Sequence, residues 1–555
     1  MLDQLNKIYN FLVEKGYTVS EDKENSVIKV KYPNSEETYN ISIDFSNEFP
    51  FNFPRVYIDE EFKKRSNMLA HVFSGDLLCL KFDGKEMINP TKPLEIVEYI
   101  LEKTKIVIDK AISGNLNNER FEELSEYWTL INDQKSKIEI MTFYDPSVAD
   151  RQTIDFGNYV IPKESNKILI FQRKDNFCGK DYLELFCKAD SISIKSNQCI
   201  FVYVETADEA YQLRRFDKLI DYLYNIKDSQ IDSYFKTHKK KGLITLVVKE
   251  LNYKQYSVFY LFKEYSNKVL RKNVQKILPL NSNDYVYFNV IPTDFNQASL
   301  FDRSSSGEID SRINKVCIVG CGAIGSHVAE YCASIGSTHI TLVDNDVFKE
   351  SNLLRHVCSV DEIGVPKSQA VKCSLLKNYP YLEINEITDS IFNCDFTKLG
   401  EDNYDLIIVA TGEMASEYYC CNEFFARSMS NKVILLWLEP YAVSGHALVY
   451  NKSSWKEDDF DSLYSNINQI SSVLNKEEFF KKEAGCSSAY IPYSGLDLTI
   501  FVAEFMKKFL VLDRGSYSYS KMINIVKYKR DNSMKLNCIY YSKTDGDVII
   551  GDIYD

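Results

Sequence analysis

Apolar and polar positions alternate with two different periods along the chain, and the changes of period mark its organisation. At the amino terminus Leu5, Ile8, Tyr9 and Leu12 recur at helical spacing, which predicts an amphipathic helix with one buried face. Residues 42–58, SIDFSNEFPFNFPRVYI, begin as an alternating strand and break at Pro50 and Pro54. A helix is predicted over 93–111. Pro93 suits a first turn, where its missing N–H costs nothing, Thr91 offers a cap, and Leu94, Val97, Ile100 and Leu101 form one stripe. From about 140 to 295 short apolar runs, KILIFQR, CIFVYVE, LITLVVKE and YSVFYLF, read as strands, with one helix over 207–226. A polar break, QASLFDRSSSGEIDSR, leads into KVCIVGCGAIGSHVAEYCASIGSTHITLVDND, which reads as a buried strand, a glycine turn, a helix and a second strand ending in acidic residues. The pattern predicts three regions, 1–120, 121–299 and 300–555, without an internal repeat.

Composition narrows the classes. A chain of 555 residues with 45% apolar and 26% charged positions, 38 tyrosines and 33 phenylalanines is a folded multidomain protein rather than a disordered one. A net charge of -13 gives no support to general nucleic-acid binding, and the basic cluster at 236–241 reads as a solvated loop. No run of about 18 apolar residues exists to span a membrane, and the amino terminus lacks a signal-peptide core, so a cytoplasmic location is expected. The 14 cysteines include no C-x-x-C pair, which argues against a structural zinc or a redox dithiol. Most read as small buried residues; Cys79 and Cys486 stand apart because of their neighbours.

The chemistry begins at Gly320, Gly322 and Gly325. A G-x-G-x-x-G turn after a buried strand lets the backbone approach a phosphate and points helix N-terminal amides at it. Asp344, at the end of the next strand, can accept hydrogen bonds from ribose hydroxyls. An NAD-dependent dehydrogenase and an ATP-dependent adenylating enzyme can both begin this way. The sequence then continues DNDVFKESNLLRHVCSVDEIGVPKSQA, bringing Asn352, Arg355 and Lys367 close behind Asp344. Cleavage of ATP between the α and β phosphates needs such donors, because negative charge builds on the departing pyrophosphate.

Asp344, the SNLLR run and the GVPKSQA run resemble the adenylation domain of ubiquitin-activating-type enzymes, the ThiF and MoeB superfamily, over roughly residues 300–510. The resemblance implies a Rossmann-like domain that adenylates the C-terminal carboxylate of a ubiquitin-like protein with ATP and Mg2+. Carried over by position, Asp344 holds the ribose and Asn352, Arg355 and Lys367 contact the phosphates. Where that family has T-D-N, with an aspartate for magnesium, this chain has Thr411, Gly412 and Glu413, so Glu413 is the nominated metal ligand, with Asp346 as an alternative. The family's arginine finger, given across a homodimer, corresponds best to Arg303, with Arg312 as the other choice. The run GCSSAYIPYSGLD resembles the segment bearing the thioester cysteine of activating enzymes, which makes Cys486 the first nucleophile.

The first region resembles a ubiquitin-conjugating core (UBC fold): a proline-rich turn, a histidine, the run GDLLCL with Gly75 and Cys79 set against the family's G-x-x-C-L segment and one residue longer, and long helices. Its usual H-P-N triplet reads His71, Val72 and Phe73, so the oxyanion donor falls to His71, Asn89 or a backbone amide. The fold class is thus multidomain α/β and α+β, with a conjugating-like domain, an α/β spacer and a ThiF/MoeB-type domain. This order resembles the fused enzymes of bacterial antiphage CBASS systems. That family implies transfer from Cys486 to Cys79 and then to a target amine, with a cGAS/DncV-like nucleotidyltransferase, or alternatively a ubiquitin-like protein, as the carrier. A sulfur-carrier adenylyltransferase, a dehydrogenase and a non-catalytic scaffold are the competing readings.

Overall fold

The computed structural model describes residues 2–22, 24–33, 38–46, 48–59, 77–80, 89–112, 124–129, 138–149, 153–162, 166–172, 179–187, 197–238, 241–262, 285–296, 300, 313–395, 399, 403–430, 432–442, 444–452, 460, 479, 481–482, 489–513, 521–526 and 548–552. The amino-terminal helix Leu2–Glu14 lays Leu5, Ile8 and Leu12 onto an antiparallel sheet of four strands in sequential order, β1 (Thr18–Asp22), β2 (Val27–Pro33), β3 (Thr38–Asp44) and β4 (Arg55–Ile58). Ile28, Val30, Ile41, Ile43, Val56 and Ile58 alternate inward along these strands to meet that helix and the helix Pro93–Ile112. Burying each such aliphatic side chain is worth roughly 1.5–3 kcal/mol. The long helix has the stripe read from the sequence, with Val97, Ile100, Leu101 and Ile108 buried. Its cap differs from expectation: the Thr91 hydroxyl donates to Asn89 Oδ1 at 2.7 Å and the Thr91 amide reaches the same oxygen at 3.1 Å, so Thr91 closes an Asx turn instead of capping the helix.

The middle region is a mixed eight-stranded sheet. Its strands in chain order are β5 (Glu139–Thr142), β6 (Ile154–Val160), β7 (Lys167–Gln172), β8 (Gln198–Val204), β9 (Lys241–Val248), β10 (Lys254–Phe262), β11 (Tyr285–Val290) and β12 (Thr293–Asp294), and their spatial order is β11-β10-β9-β8-β6-β7-β5-β12. All four apolar runs singled out in the sequence are strands here. The single helix expected over 207–226 is two, Ala207–Leu213 and Phe216–Ile226. Arg215 leaves helical geometry at φ -82°, ψ 129°, and the break lets Phe216, Leu219, Ile220 and Leu223 turn onto the core beside Ala207 and Ala210. Lys236 and Lys241, which bracket the basic cluster, are exposed.

The third sheet has eight strands. Its parallel part is β13 (Lys315–Val319), β14 (His339–Val343), β15 (Glu383–Ile387), β16 (Leu406–Val409) and β17 (Lys432–Leu438). The strands β18 (Ser444–Asn451), β21 (Lys521–Val526) and β22 (Val548–Asp552) continue it antiparallel. A separate ribbon pairs β19 (Lys481–Lys482) with β20 (Ala489–Tyr490). The parallel strands are apolar on both faces, as strands covered by helices on each side must be. The helices Ala323–Ser334, Lys367–Asn378 and Gly495–Asp513 cover one face, while Met414–Ala426 packs on the other. The chain runs from β13 outward to β14 and β15, then crosses to β16 on the other side of β13, which opens a crevice at the carboxyl ends of β13 and β16. The middle region joins this sheet at its β15 edge. Asp181, in the first turn of the helix Lys180–Cys187, accepts from the Ile384 amide at 2.8 Å and from Lys372 Nζ at 3.2 Å, while Lys372 also reaches Glu386 at 2.7 Å. Among the described residues no helix is long and apolar enough to cross a membrane.

Candidate functional site

The glycine turn sits at the mouth of that crevice. Gly320 has φ +89°, and a Cβ there would lie 2.9 Å from the Ala410 carbonyl at the end of β16. Gly325 is tighter, since a Cβ on it would fall 1.8 Å from the Gly320 oxygen. Gly322 serves a different purpose. It is the N-cap of the helix Ala323–Ser334, and a Cβ there would meet nothing within 4 Å, which leaves open space in front of the helix amides. Such space beside aligned N–H groups fits a phosphate. Asp344 fixes the turn from below: Oδ2 accepts from the Cys321 amide at 2.7 Å and Oδ1 from the Asp346 amide at 2.8 Å. Burial raises its carboxyl above the usual range, against the pull of Lys367 and the two amides. Each oxygen keeps a further lone pair, so the ribose role is compatible with these bonds.

The three polar donors foreseen after Asp344 lie on two short elements beside the turn. Asn352 and Arg355 belong to the 3-10 turn Glu350–Arg355, where Asn352 Oδ1 accepts from the Lys349 amide at 3.1 Å. Arg355 holds its guanidinium carbon 5.0 Å from the centre of the Tyr493 ring. Lys367 begins the helix Lys367–Asn378, is 13% exposed, and pairs with Asp346 at 2.8 Å. Asp346 is therefore engaged by a lysine, which weakens its claim as the alternative metal ligand. His356, unremarked in the sequence, connects the arginine-bearing turn to the glycine turn. Its Nδ1 accepts from the Cys358 amide at 3.3 Å, so Nε2 carries the proton and donates to the Cys321 carbonyl at 2.8 Å. Burial first, and the positive charge of Lys367 and His327 after it, hold its pKa down at about 4 against the lift from the Cys321 carbonyl. Its position directly after Arg355 was the available signal.

Glu413 stands at the N-cap position of the helix Met414–Ala426, past the end of β16 and so at the same carboxyl end of the sheet as the glycine turn, and its carboxylate accepts from Ser416 Oγ at 3.2 Å. Gly412 before it has φ +67° and open space above its Cα. Among the described residues no group of three or more histidine, cysteine, aspartate or glutamate side chains could hold a metal. A single carboxylate fits magnesium bound chiefly through nucleotide phosphates, the usual arrangement for that ion.

In the first region Cys79 follows a short bridge between Tyr57 and Leu77. Leu78 and Leu80 on either side are buried, at 4% and 6% exposure, and the Leu78 amide donates to the Val56 carbonyl at 2.7 Å. This alternation turns the Cys79 side chain away from the core. Among the described cysteines only Cys79 and Cys373 are partly exposed, and burial pushes the Cys373 thiol up. Asn89 spends its carbonyl on Thr91. Cys486, Arg303, Arg312 and His71 lie outside the described residues.

Residues 299–497 match the ThiF family, and residues 10–137 match Prokaryotic E2 family B. The adenylyltransferase and sulfurtransferase UBA4 of Yarrowia lipolytica is 30% identical over 113 residues, which are 20% of this chain and 28% of that protein. The ATP-dependent ubiquitin transferase-like protein Cap2 is 23% identical in Escherichia coli, over 65% of this chain and 66% of the relative, and 22% identical in Vibrio cholerae, over 72% and 70%. The chain thus spans just over a quarter of the UBA4 relative and about two thirds of the Cap2 proteins. Among solved structures, PaaA is 16% identical over 44% of this chain and 73% of its own, with a TM-score of 0.32. E. coli MccB with ATP is 22% identical over 43% and 68%, with a TM-score of 0.27. One polypeptide joins a segment that matches Prokaryotic E2 family B to a segment that matches the ThiF family, and it is similar to the Cap2 proteins over about two thirds of its length.

Proposed function

We propose that this chain uses ATP and magnesium to adenylate the C-terminal carboxylate of a partner protein, passes the acyl group to Cys486 and then to Cys79, and joins it to a target amine. The observation that carries this reading is the open helix N-terminus at Gly322 with Asp344, Arg355 and Lys367 on the elements around it. The partner's carboxylate oxygen attacks the α-phosphorus, the bond to the β-phosphate oxygen breaks, and Arg355 and Lys367 neutralise the charge gathering on the pyrophosphate. Asp344 holds the ribose, Asn352 steadies the arginine-bearing turn and contacts phosphate, and Glu413 contributes to the magnesium site. Arg303 of a second copy adds a further donor in a homodimer. The Cys486 thiolate then attacks the acyl carbon and expels AMP. Transfer to the Cys79 thiolate exchanges one thioester for another, and the target amine completes an amide with loss of the thiol. His71 or the Asn89 amide group steadies the oxyanion of that last step. We infer that the partner is a cGAS/DncV-like nucleotidyltransferase and that the reaction serves antiphage defence in the cytoplasm.

The test uses the full chain, ATP, magnesium and a cGAS/DncV-like nucleotidyltransferase. Pyrophosphate release should fall at least ~100-fold in Arg355→Ala and Lys367→Ala, as for loss of one charge-stabilising donor. Cys486→Ala should release pyrophosphate and form no thiol-sensitive adduct. Cys79→Ala should accumulate an adduct on Cys486 and give no amide product. Full conjugation by Cys79→Ala would overturn the transfer order, and unchanged pyrophosphate release in both cation variants would overturn the adenylation site.

A further inference from the structure

Four consecutive residues, Pro492 to Gly495, meet the segment around Tyr441, the turn that carries Arg355 and the start of the helix that follows them. The Pro492 carbonyl accepts from the Tyr441 amide. Tyr441 and Ala442 hold left-handed conformations, φ 58° and 48°, that side chains other than glycine adopt only under constraint. The constraint is visible below them: Glu439, 3% exposed, pairs with the fully buried His446 at 2.7 Å, and the Glu439 carbonyl accepts from the Ala442 amide at 2.9 Å. Ser494 caps the next helix, accepting from the Asp497 amide at 3.1 Å. Gly495 lies so close to the arginine-bearing turn that a Cβ on it would stand 2.4 Å from the Leu354 carbonyl. Between these ties Tyr493 presents its ring to Arg355. Burial raises the Tyr493 hydroxyl, while the charges of Arg355 and Lys367 pull it back.

We propose that Tyr493 is a positioning residue for Arg355, its ring face holding the guanidinium in place for the β and γ phosphates of ATP, with Gly495 admitting the turn that carries the arginine. The inference rests on the reading of Arg355 as a phosphate donor. A ring face attracts a guanidinium through its quadrupole without neutralising it, so the arginine keeps its full charge for an incoming anion. A rigid plane below also restricts a long side chain whose freedom would otherwise be lost on binding.

The experiment measures binding of ATP with magnesium chloride, and separately of AMP, to the full chain by titration calorimetry. AMP lacks the phosphates that Arg355 would meet and so reports the rest of the site. Tyr493→Leu should weaken ATP about ten-fold and leave AMP within about two-fold, a size in keeping with a partly buried cation–ring contact. Tyr493→Phe keeps the ring and should bind both as the parent does. Added to Arg355→Ala, Tyr493→Leu should cost nothing further. Gly495→Ala provides an independent arm: with the ring intact, its Cβ pushes the turn away and the same ATP-selective loss is expected. Parental ATP binding by Tyr493→Leu alongside weak binding by Arg355→Ala would overturn the inference alone. Parental ATP binding by Arg355→Ala would instead overturn the phosphate reading on which it rests. Equal loss of ATP and AMP in both Tyr493→Leu and Gly495→Ala would reduce these residues to supports of the fold and sink the positioning role.

Discussion

His356 is a histidine that the fold keeps neutral. Its two ring nitrogens have opposite tasks, one accepting from Cys358 and one donating to Cys321, and protonation would destroy the first. With a folded pKa of about 4 against an ordinary 6.5, the unfolded chain takes up the proton first as pH falls. Stability from this group is complete above about pH 6.5, declines as pH drops below that value, and levels near pH 4, after a loss of about 3 kcal/mol. His356→Gln should therefore be less stable than the parent at pH 7, with the gap closing toward pH 4; urea denaturation at several pH values measures it, and a gap constant with pH would refute the assignment. Residues at this scale were legible only where a local motif carried them. Gly320, Asp344, Arg355 and Lys367 stand in short, ordered runs, so spacing together with the family resemblance sufficed to nominate them, and the fold gathers them around one crevice. Tyr493 meets an arginine far away in the sequence and His356 reaches back to Cys321, contacts that no local spacing encodes; for His356 only its place directly after Arg355 marked it. Thr91 shows the opposite failure: a good capping residue is claimed by Asn89 two residues before it, whose side-chain oxygen accepts from both the Thr91 amide and its hydroxyl.

At the scale of elements, the second and third glycines of the phosphate turn separate packing from ligand approach. Gly325→Ala forces a methyl into the Gly320 carbonyl, so the helix must move off the strand, and a loss of several kcal/mol in stability is expected along with ATP binding. Gly322→Ala meets nothing in the protein, so thermal stability should stay within about 1 kcal/mol while ATP binding is lost to the methyl standing in the phosphate space. Thermal denaturation and nucleotide titration of the two variants check this; similar stability of both would show that the turn is less tightly packed than these distances imply. Strands and the long helices were legible because burial imposes a period of two or 3.6 over many residues. The division of 207–226 was not, since Phe216 to Ile226 continues the helical period after a single residue turns, and only the direction of the core decides where the second helix points.

For the molecule as a whole, the middle region is more than a connector. Asp181 satisfies an amide of β15 and completes a triad with Lys372 and Glu386, in which Lys372 is 12% exposed. Burial alone would lower the Lys372 pKa, but Glu386 and Asp181 hold its ammonium above the ordinary value. Asp181→Ala leaves that charge half-matched and the Ile384 amide without its acceptor, at a cost of about 1–3 kcal/mol. The expected signs are faster proteolysis between residues 188 and 312 and separation of one thermal transition into two; Asp181→Asn, which keeps the oxygen for the amide, should lie between. Parental proteolysis and melting in Asp181→Ala would show that the two regions hold together by other means.

The same contact bears on how the C-terminal half behaves when separated. β15 ends its sheet, and Asp181 occupies one of the donors along that outer rim. A chain cut to residues 300–555 would present that rim bare, with its N–H and C=O groups ready to template another strand, and colloidal self-association rather than misfolding would then be the obstacle to isolating the activating half alone.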